Sequence, residues 1–215
     1  MFTCIDLFSG AGLGSSAALS NAMGAALHQF TKPNKEIDLI KLSKIGHSAE
    51  AATQEGRASP TDSAASSLGG CVVVSGKRID TLDHVFDTSL VTPEGKRSWS
   101  IHHAELHENI NQSWLVLGFT GQSSPTGKMV SGVAERLKQN PELYDEMESI
   151  ENITIAGLTA LKAGNLEAVG MAMDSCHEKL KKLGVSSDLL DLMVSATRPH
   201  SFGSKLTGAG GGGCM

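Results

Sequence analysis

The chain has 215 residues, enough for one large domain or two small ones with a real core. Its 18 Lys and Arg stand against 23 Asp and Glu, a net charge of −5 with no basic run, which argues against nucleic acid or an anionic membrane as partner. No stretch approaches the roughly 18 apolar residues of a membrane span. Residues 1–8 lack the basic opening of a secretory signal, and Cys4, Cys71, Cys176 and Cys214, without paired spacing, fit free thiols in a reducing cytoplasm.

Cys4-Ile5-Asp6-Leu7-Phe8 reads as the end of a strand. After a glycine-rich run, residues 17–30 form a helix whose Leu19, Met23, Ala26, Leu27 and Phe30 recur on one apolar face, and Lys32-Pro33-Asn34 stops it. A second helix covers residues 36–54, with Ile37, Ile40, Leu42, Ile45 and Ala49 as apolar positions. A loop with Pro60 follows, then a helical turn at 63–68, then Gly69-Gly70 and the β-branched strand Cys71-Val72-Val73-Val74. Residues 75–112 are polar and read as strands around a loop at Thr92-Pro93-Glu94-Gly95. Their His102, His103 and His107 fit a polar strand face better than a zinc site. Residues 114–119 read as a strand and 120–125 as a polar turn. From Thr126 the rest is mainly helical, with apolar stripes over 129–137, 147–161 and 166–183. A shorter helix at 189–196 follows the capping sequence Ser186-Ser187-Asp188. Residues 201–207 enter a last glycine run as strand or turn. The order indicates α+β in two lobes rather than an alternating parallel chain.

Two glycine-rich runs frame the sequence. Ser9-Gly10-Ala11-Gly12-Leu13-Gly14-Ser15-Ser16-Ala17-Ala18 passes directly into the first helix. Small residues there let backbone N–H groups approach a phosphate at a helix end carrying roughly +0.5 charge. The run is neither GxGxxG nor a Walker A loop; a serine-capped turn without ligand is the plainer alternative. Ser15 and Ser16 suit phosphate oxygens, and one hydroxyl suits Mg²⁺. The second run is Lys205-Leu206-Thr207-Gly208-Ala209-Gly210-Gly211-Gly212-Gly213-Cys214. Asp62, in Ser59-Pro60-Thr61-Asp62-Ser63, is either a base for a hydroxyl nucleophile or an N-cap, and spacing alone favours the N-cap. Glu50 is either a hard oxygen ligand for Mg²⁺ or a solvated helical glutamate. Lys128 and Arg198 are either anion binders or surface charge.

Together these segments resemble the GHMP kinase superfamily, and within it the archaeal-type mevalonate kinases. The first glycine run is similar to that family's ATP-phosphate loop. Ala58-Ser59-Pro60-Thr61-Asp62 with Gly69-Gly70 is similar to the segment bearing its catalytic aspartate. Thr120-Gly121 through Thr126 and Lys128 resembles the strand-to-turn segment that follows, and residues 202–214 the third motif. The resemblance spans nearly the whole chain. It implies an α+β fold of two lobes: one like ribosomal protein S5 domain 2 over residues 1–112, and a ferredoxin-like one over 113–215, both short of strands. It implies that Gly10, Ala11, Gly12, Leu13, Gly14, Ser15 and Ser16 wrap the ATP phosphates and that Ser16 and Glu50 ligate Mg²⁺. Asp62 would orient or deprotonate the C5 hydroxyl of mevalonate, and Thr61, Arg198, Gly208, Ala209, Gly210 and Gly211 would line the site. The implied products are 5-phosphomevalonate and ADP, in cytoplasmic isoprenoid biosynthesis, with a homodimer left open. The alternatives are another small-molecule kinase of the superfamily, for phosphomevalonate or a sugar, and a non-catalytic remnant. Three departures stand out. The family's Pro-Gly-Lys motif with its catalytic lysine is absent. The chain stops where the last strand should run. The Glu50 to Asp62 interval is one residue longer than the family pattern, and Arg198 is shifted by one relative to a similar arginine. The sequence therefore reads as a truncated mevalonate kinase, expected to turn over slowly or not at all alone.

Overall fold

The computed structural model describes residues 11–54, 56, 58–92 and 95–215. They fall into two compact units: Gly14–Glu105, and Leu106–Met215 together with residues 11–13. The strand end expected at residues 4–8 lies outside the described residues, as does Gly10.

The first unit carries α1 (Ser15–Thr31), α2 (Leu39–Thr53), α3 (Thr61–Leu68), β1 (Cys71–Ser75), β2 (Asp83–Thr92) and β3 (Gly95–Ala104). The helices and β1 lie where sequence patterning places them, with shifted ends. Asp38 starts α2 by accepting the Lys41 N–H at 2.9 Å. The sheet is antiparallel in the order β1-β3-β2, with a bulge between His84 and Phe86. Thr92 pairs with Gly95 across the β2–β3 turn, whose Pro93 and Glu94 lie outside the described residues. Ala64, Phe86 and Ile101 form the core, packed by Ile40, Leu68, Val72, Val74, Val85 and Trp99. Burying a side chain such as Ile101 contributes roughly 1.5–3 kcal/mol.

Two expectations fail in this unit. The apolar stripe of α1 does not face the core: Met23, Leu27 and Phe30 are 40%, 58% and 86% exposed, while Ala17 and Asn21 are buried. Asn21 Nδ2 donates to the Ser63 carbonyl at 2.8 Å and to Ser66 Oγ at 2.6 Å. Gly46 of α2 leaves room for that amide, since a Cβ there would overlap Asn21 Oδ1. Small residues and one amide set the packed face; the amide nitrogen is paired, while among the described residues Oδ1 is buried without a hydrogen-bond partner. Nor do the histidines share a polar strand face. His102 is wholly buried, because the turn before β2 folds back over it and its Nε2 accepts the Ile79 N–H at 3.0 Å.

The second unit holds α4 (Thr126–Gln139), α5 (Leu143–Ala163), α6 (Leu166–Lys182) and α7 (Asp188–Thr197). Gly164, left-handed at φ 68°, ends α5, and Asn165 caps α6 through the Ala168 N–H. Val185, Leu190, Val194, Leu206 and Met215 form the core, packed by Met129, Val133, Leu180 and Met193. The strand expected at 114–119 is reduced to a bridge between Phe119 and Cys214, flanked by reciprocal bonds between Gly118 and Met215 at 3.0 and 2.9 Å. A strand is a ladder, and among the described residues none pairs with 114–117. Trp114, Leu115, Val116 and Leu117 are exposed. Residues 201–207 likewise form no strand: 201 and 202 are a bend and 203–207 belong to no ladder among the described residues.

Candidate active site

Gly14 opens α1 in the left-handed region at φ 68°, without a side-chain cap and without an acidic residue in the first turn. The first-turn N–H groups lack intrahelical partners and carry the positive end of the helix dipole, which suits an anion. A Cβ on Gly14 would lie 3.1 Å from Cβ and Cγ of Asp62. Glycine is therefore required there twice, for its backbone and for the space Asp62 takes.

Asp62 sits in the first turn of α3, whose N-cap position is Pro60, so the capping alternative is set aside. It keeps an exposed edge, yet its surroundings desolvate the carboxylate and raise its pKa. Glu50, on α2, is 7% exposed. Burial raises its pKa first, the charge of Asp62 raises it further, and a hydrogen bond from the Ser16 hydroxyl opposes both. Ser16, Glu50 and Asp62, from α1, α2 and α3, thus meet behind Gly14. A buried carboxylate beside the charge of a second one favours a proton or a cation.

Sequence reasoning missed His47. It is buried one turn before Glu50 on α2, and its Nε2 donates to the Ala58 carbonyl at 3.0 Å. Burial lowers its pKa, keeping it neutral, against the raising effect of that bond. His47 thereby ties the helix bearing Glu50 to the turn that leads to Asp62. The only sequence signal was the three-residue spacing to Glu50. Thr61 is exposed, with its hydroxyl 2.8 Å from Ser59 Oγ.

In the other unit the two glycine runs touch. A Cβ on Gly12 would lie 3.1 Å from Gly208 Cα and from the Thr207 carbonyl oxygen. The Cys214 N–H donates to the carbonyl of buried Ala11 at 3.0 Å. The second run closes as a loop through Thr207 N–H to Cys214 O at 3.0 Å. It is pinned by Gly211 N–H to Val185 O at 2.8 Å and by Gly213 N–H to Gln122 O at 2.7 Å. Gly12, Ser124, Thr126, Thr207, Ala209 and Gly210 are among the residues lining a small cleft here. Ser124 was legible only as part of a polar turn. Arg198 does not line this cleft: its guanidinium bonds Asp174 at 3.1 Å and Glu178 at 2.9 Å on α6. Lys128 is exposed on the first turn of α4. Among the described residues no group of three His, Cys, Asp or Glu forms a metal cluster, and no helix is long and apolar enough to cross a membrane.

Comparison with known proteins accords with this layout. Residues 6–70 match the family model for the GHMP kinases N terminal domain, and residues 158–215 match that for the GHMP kinases C terminal domain. The chain belongs to the GHMP kinase family. It is 32% identical over 213 residues to the mevalonate kinase of Methanothermobacter thermautotrophicus, covering 98% of this chain and 61% of that protein. It is 30% identical to the mevalonate kinase of Pyrococcus furiosus, covering 96% of this chain and 55% of that one. The crystal structure of the Methanococcus jannaschii mevalonate kinase superposes with a TM-score of 0.64 at 27% identity, covering 97% of this chain and 56% of that structure's. The chain thus spans little more than half the length of these relatives. The mixed helix and sheet fold is that of GHMP kinases. The family's N-terminal match contains Ser16, Glu50 and Asp62, and its C-terminal match contains the second glycine run.

Proposed function

We propose that this chain carries the phosphate-loop, metal and base residues of a mevalonate kinase, which transfers the γ-phosphoryl group of ATP to the C5 hydroxyl of mevalonate. The convergence of Ser16, Glu50 and Asp62 behind Gly14 is the observation that carries the reading. The similarity to archaeal mevalonate kinases supports the choice of substrate.

In this reading Gly12, Leu13 and Gly14 bring backbone close to the ATP phosphates, while Ser15 and Ser16 stand at the uncapped start of α1. The Ser16 hydroxyl and the Glu50 carboxylate are hard oxygen donors, and the raised pKa of Glu50 marks a site that lacks compensating positive charge, so both fit Mg²⁺. Bound there, Mg²⁺ would neutralise charge on the transferring phosphoryl group. Asp62, with its raised pKa, is a stronger base than an ordinary aspartate and orients or deprotonates the acceptor hydroxyl. Thr61, Gly208, Ala209, Gly210 and Gly211 are assigned to substrate contact and loop geometry. The unpaired thiols of Cys71, Cys176 and Cys214 support a cytoplasmic setting.

The test is ADP release with Mg-ATP, for this chain and for any longer product of its gene. The acceptor panel is mevalonate, phosphomevalonate, galactose and homoserine. Mevalonate should be the preferred acceptor, and Asp62→Asn should lower turnover by roughly 10²-fold or more with nucleotide binding retained. Preference for another acceptor, or full activity of Asp62→Asn, overturns the reading.

A further inference from the structure

The segment that leads into the second glycine run forms neither helix nor strand, and among the described residues no ladder pairs with 203–206, so its backbone N–H groups need other partners. Two of them are taken by side chains of α6. Ser204 N–H donates to Asp174 Oδ1 at 2.9 Å, and Leu206 N–H donates to His177 Nδ1 at 3.3 Å. Asp174 and His177 lie three residues apart, one above the other on a helix face. Ser204 and Leu206 lie two apart, and both aim their N–H groups at that face. The helix thus supplies two rungs in the manner of a neighbouring strand. Past Leu206, the Thr207 N–H bonds to Cys214 O and closes the loop.

The hydrogen-bond pattern fixes the tautomer of His177. Its Nδ1 accepts from Leu206, so its proton is on Nε2, which donates to Asp191 Oδ1 of α7 at 3.2 Å. Asp191 is itself held by the Ser186 hydroxyl at 2.6 Å and by Lys181 at 3.0 Å. Burial opposes the Asp191 charge, but these partners outweigh it and its pKa lies below the ordinary value. His177 and Leu206 are each 1% exposed, so a proton on Nδ1 would face the Leu206 N–H without water to separate them.

We propose that His177, with Asp174 a turn before it, is a positioning residue for the glycine loop 207–213. It acts through the Leu206 N–H, and its neutral Nδ1 makes the loop's order sensitive to pH. The catalytic meaning of that order rests on the function proposed above; the coupling itself does not. The charged groups around His177 are Asp191 on α7, Asp174, Glu178 and Lys181 on α6, and Arg198 after α7. Burial, the largest influence, outweighs the raising effect of Asp191 and lowers the pKa of His177. Its protonation therefore sets in below the usual histidine range.

Two variants separate the ring nitrogens. In His177→Asn the side-chain oxygen stands close to where Nδ1 stood and still accepts from Leu206. In His177→Gln the amide stands where Nε2 stood and serves only Asp191. The readout is amide hydrogen exchange across residues 203–215, which needs no substrate. Loss of one backbone bond should speed exchange of Leu206 and the loop amides by roughly tenfold in His177→Gln, with His177→Asn close to the parent chain. Lowering the pH below the usual histidine range should speed exchange in the parent, after correction for intrinsic rates, and leave His177→Asn unmoved. Equal exchange in the two variants, or a parent loop indifferent to pH, overturns the proposal. The pH arm on the parent stands even where a variant fails to fold. Absence of mevalonate phosphorylation would count against the proposed function and leave this result intact.

Discussion

Glu50 shows how a single side chain trades stability for chemistry. Its folded pKa lies above the ordinary glutamate value, so the native state holds that proton more tightly than the unfolded chain. The stability this provides is complete below the unfolded pKa and is lost as pH rises through the raised folded value. At neutral pH the ionised carboxylate therefore weighs against folding. Glu50→Gln should melt at a higher temperature than the parent at pH 7 without divalent cation, and the gap should close towards pH 4. The same variant should lose the extra stabilisation that Mg-ATP gives the parent. Thermal melts at the two pH values check this, and a lower melting temperature for Glu50→Gln at pH 7 would contradict it. The residue types at this site were legible in the sequence, but their environments were not. Spacing favoured Asp62 as an N-cap. Only the fold shows Pro60 in that place and Asp62 packed against Gly14, a contact between distant segments that no local pattern encodes. His47 left still less trace, because a buried histidine bonded to a carbonyl has no characteristic neighbours in sequence.

Among elements, α1 gives the clearest lesson. Its periodicity correctly announced a helix and pointed to the wrong face. Hydrophobic spacing finds large side chains, whereas α1 packs through alanine and an asparagine that the glycine of α2 admits. Asn21→Ala should therefore destabilise the unit by about 1–2 kcal/mol, the net worth of the two hydrogen bonds it removes, since the Ser63 carbonyl keeps the Ser67 hydroxyl at 2.7 Å. Phe30→Ser, at an 86% exposed position, should change stability by less than about 0.5 kcal/mol. Urea unfolding of both variants decides the order, and a larger loss for Phe30→Ser would restore the apolar face. The strand expected at 114–119 failed for a different reason. Strand propensity describes a surface ready for pairing, and the partner is a non-local matter. Residues 71–74 carried the same signal and became β1 because β3 lies beside them.

At the scale of the whole molecule, the glycine runs made the family readable because each packs several left-handed backbone positions into one short segment. Residues 14–70 of the family's N-terminal match lie in the unit Gly14–Glu105, and its C-terminal match, residues 158–215, lies in the other. Among the apolar residues left outward is a short run with no partner strand among the described residues, with Trp114 93% and Val116 76% exposed. Such an unpaired edge promotes self-association. Val116→Lys should raise the concentration at which the chain begins to scatter light, and an unchanged onset would place the stickiness elsewhere. The bond from His47 to the Ala58 carbonyl bears on behaviour under heating. Because one buried contact fastens α2 to the turn before α3, Glu50 and Asp62 are carried by a single mechanical part. Warming should not loosen one and spare the other: the site should persist as a unit and then vanish in one step, with no half-assembled state between.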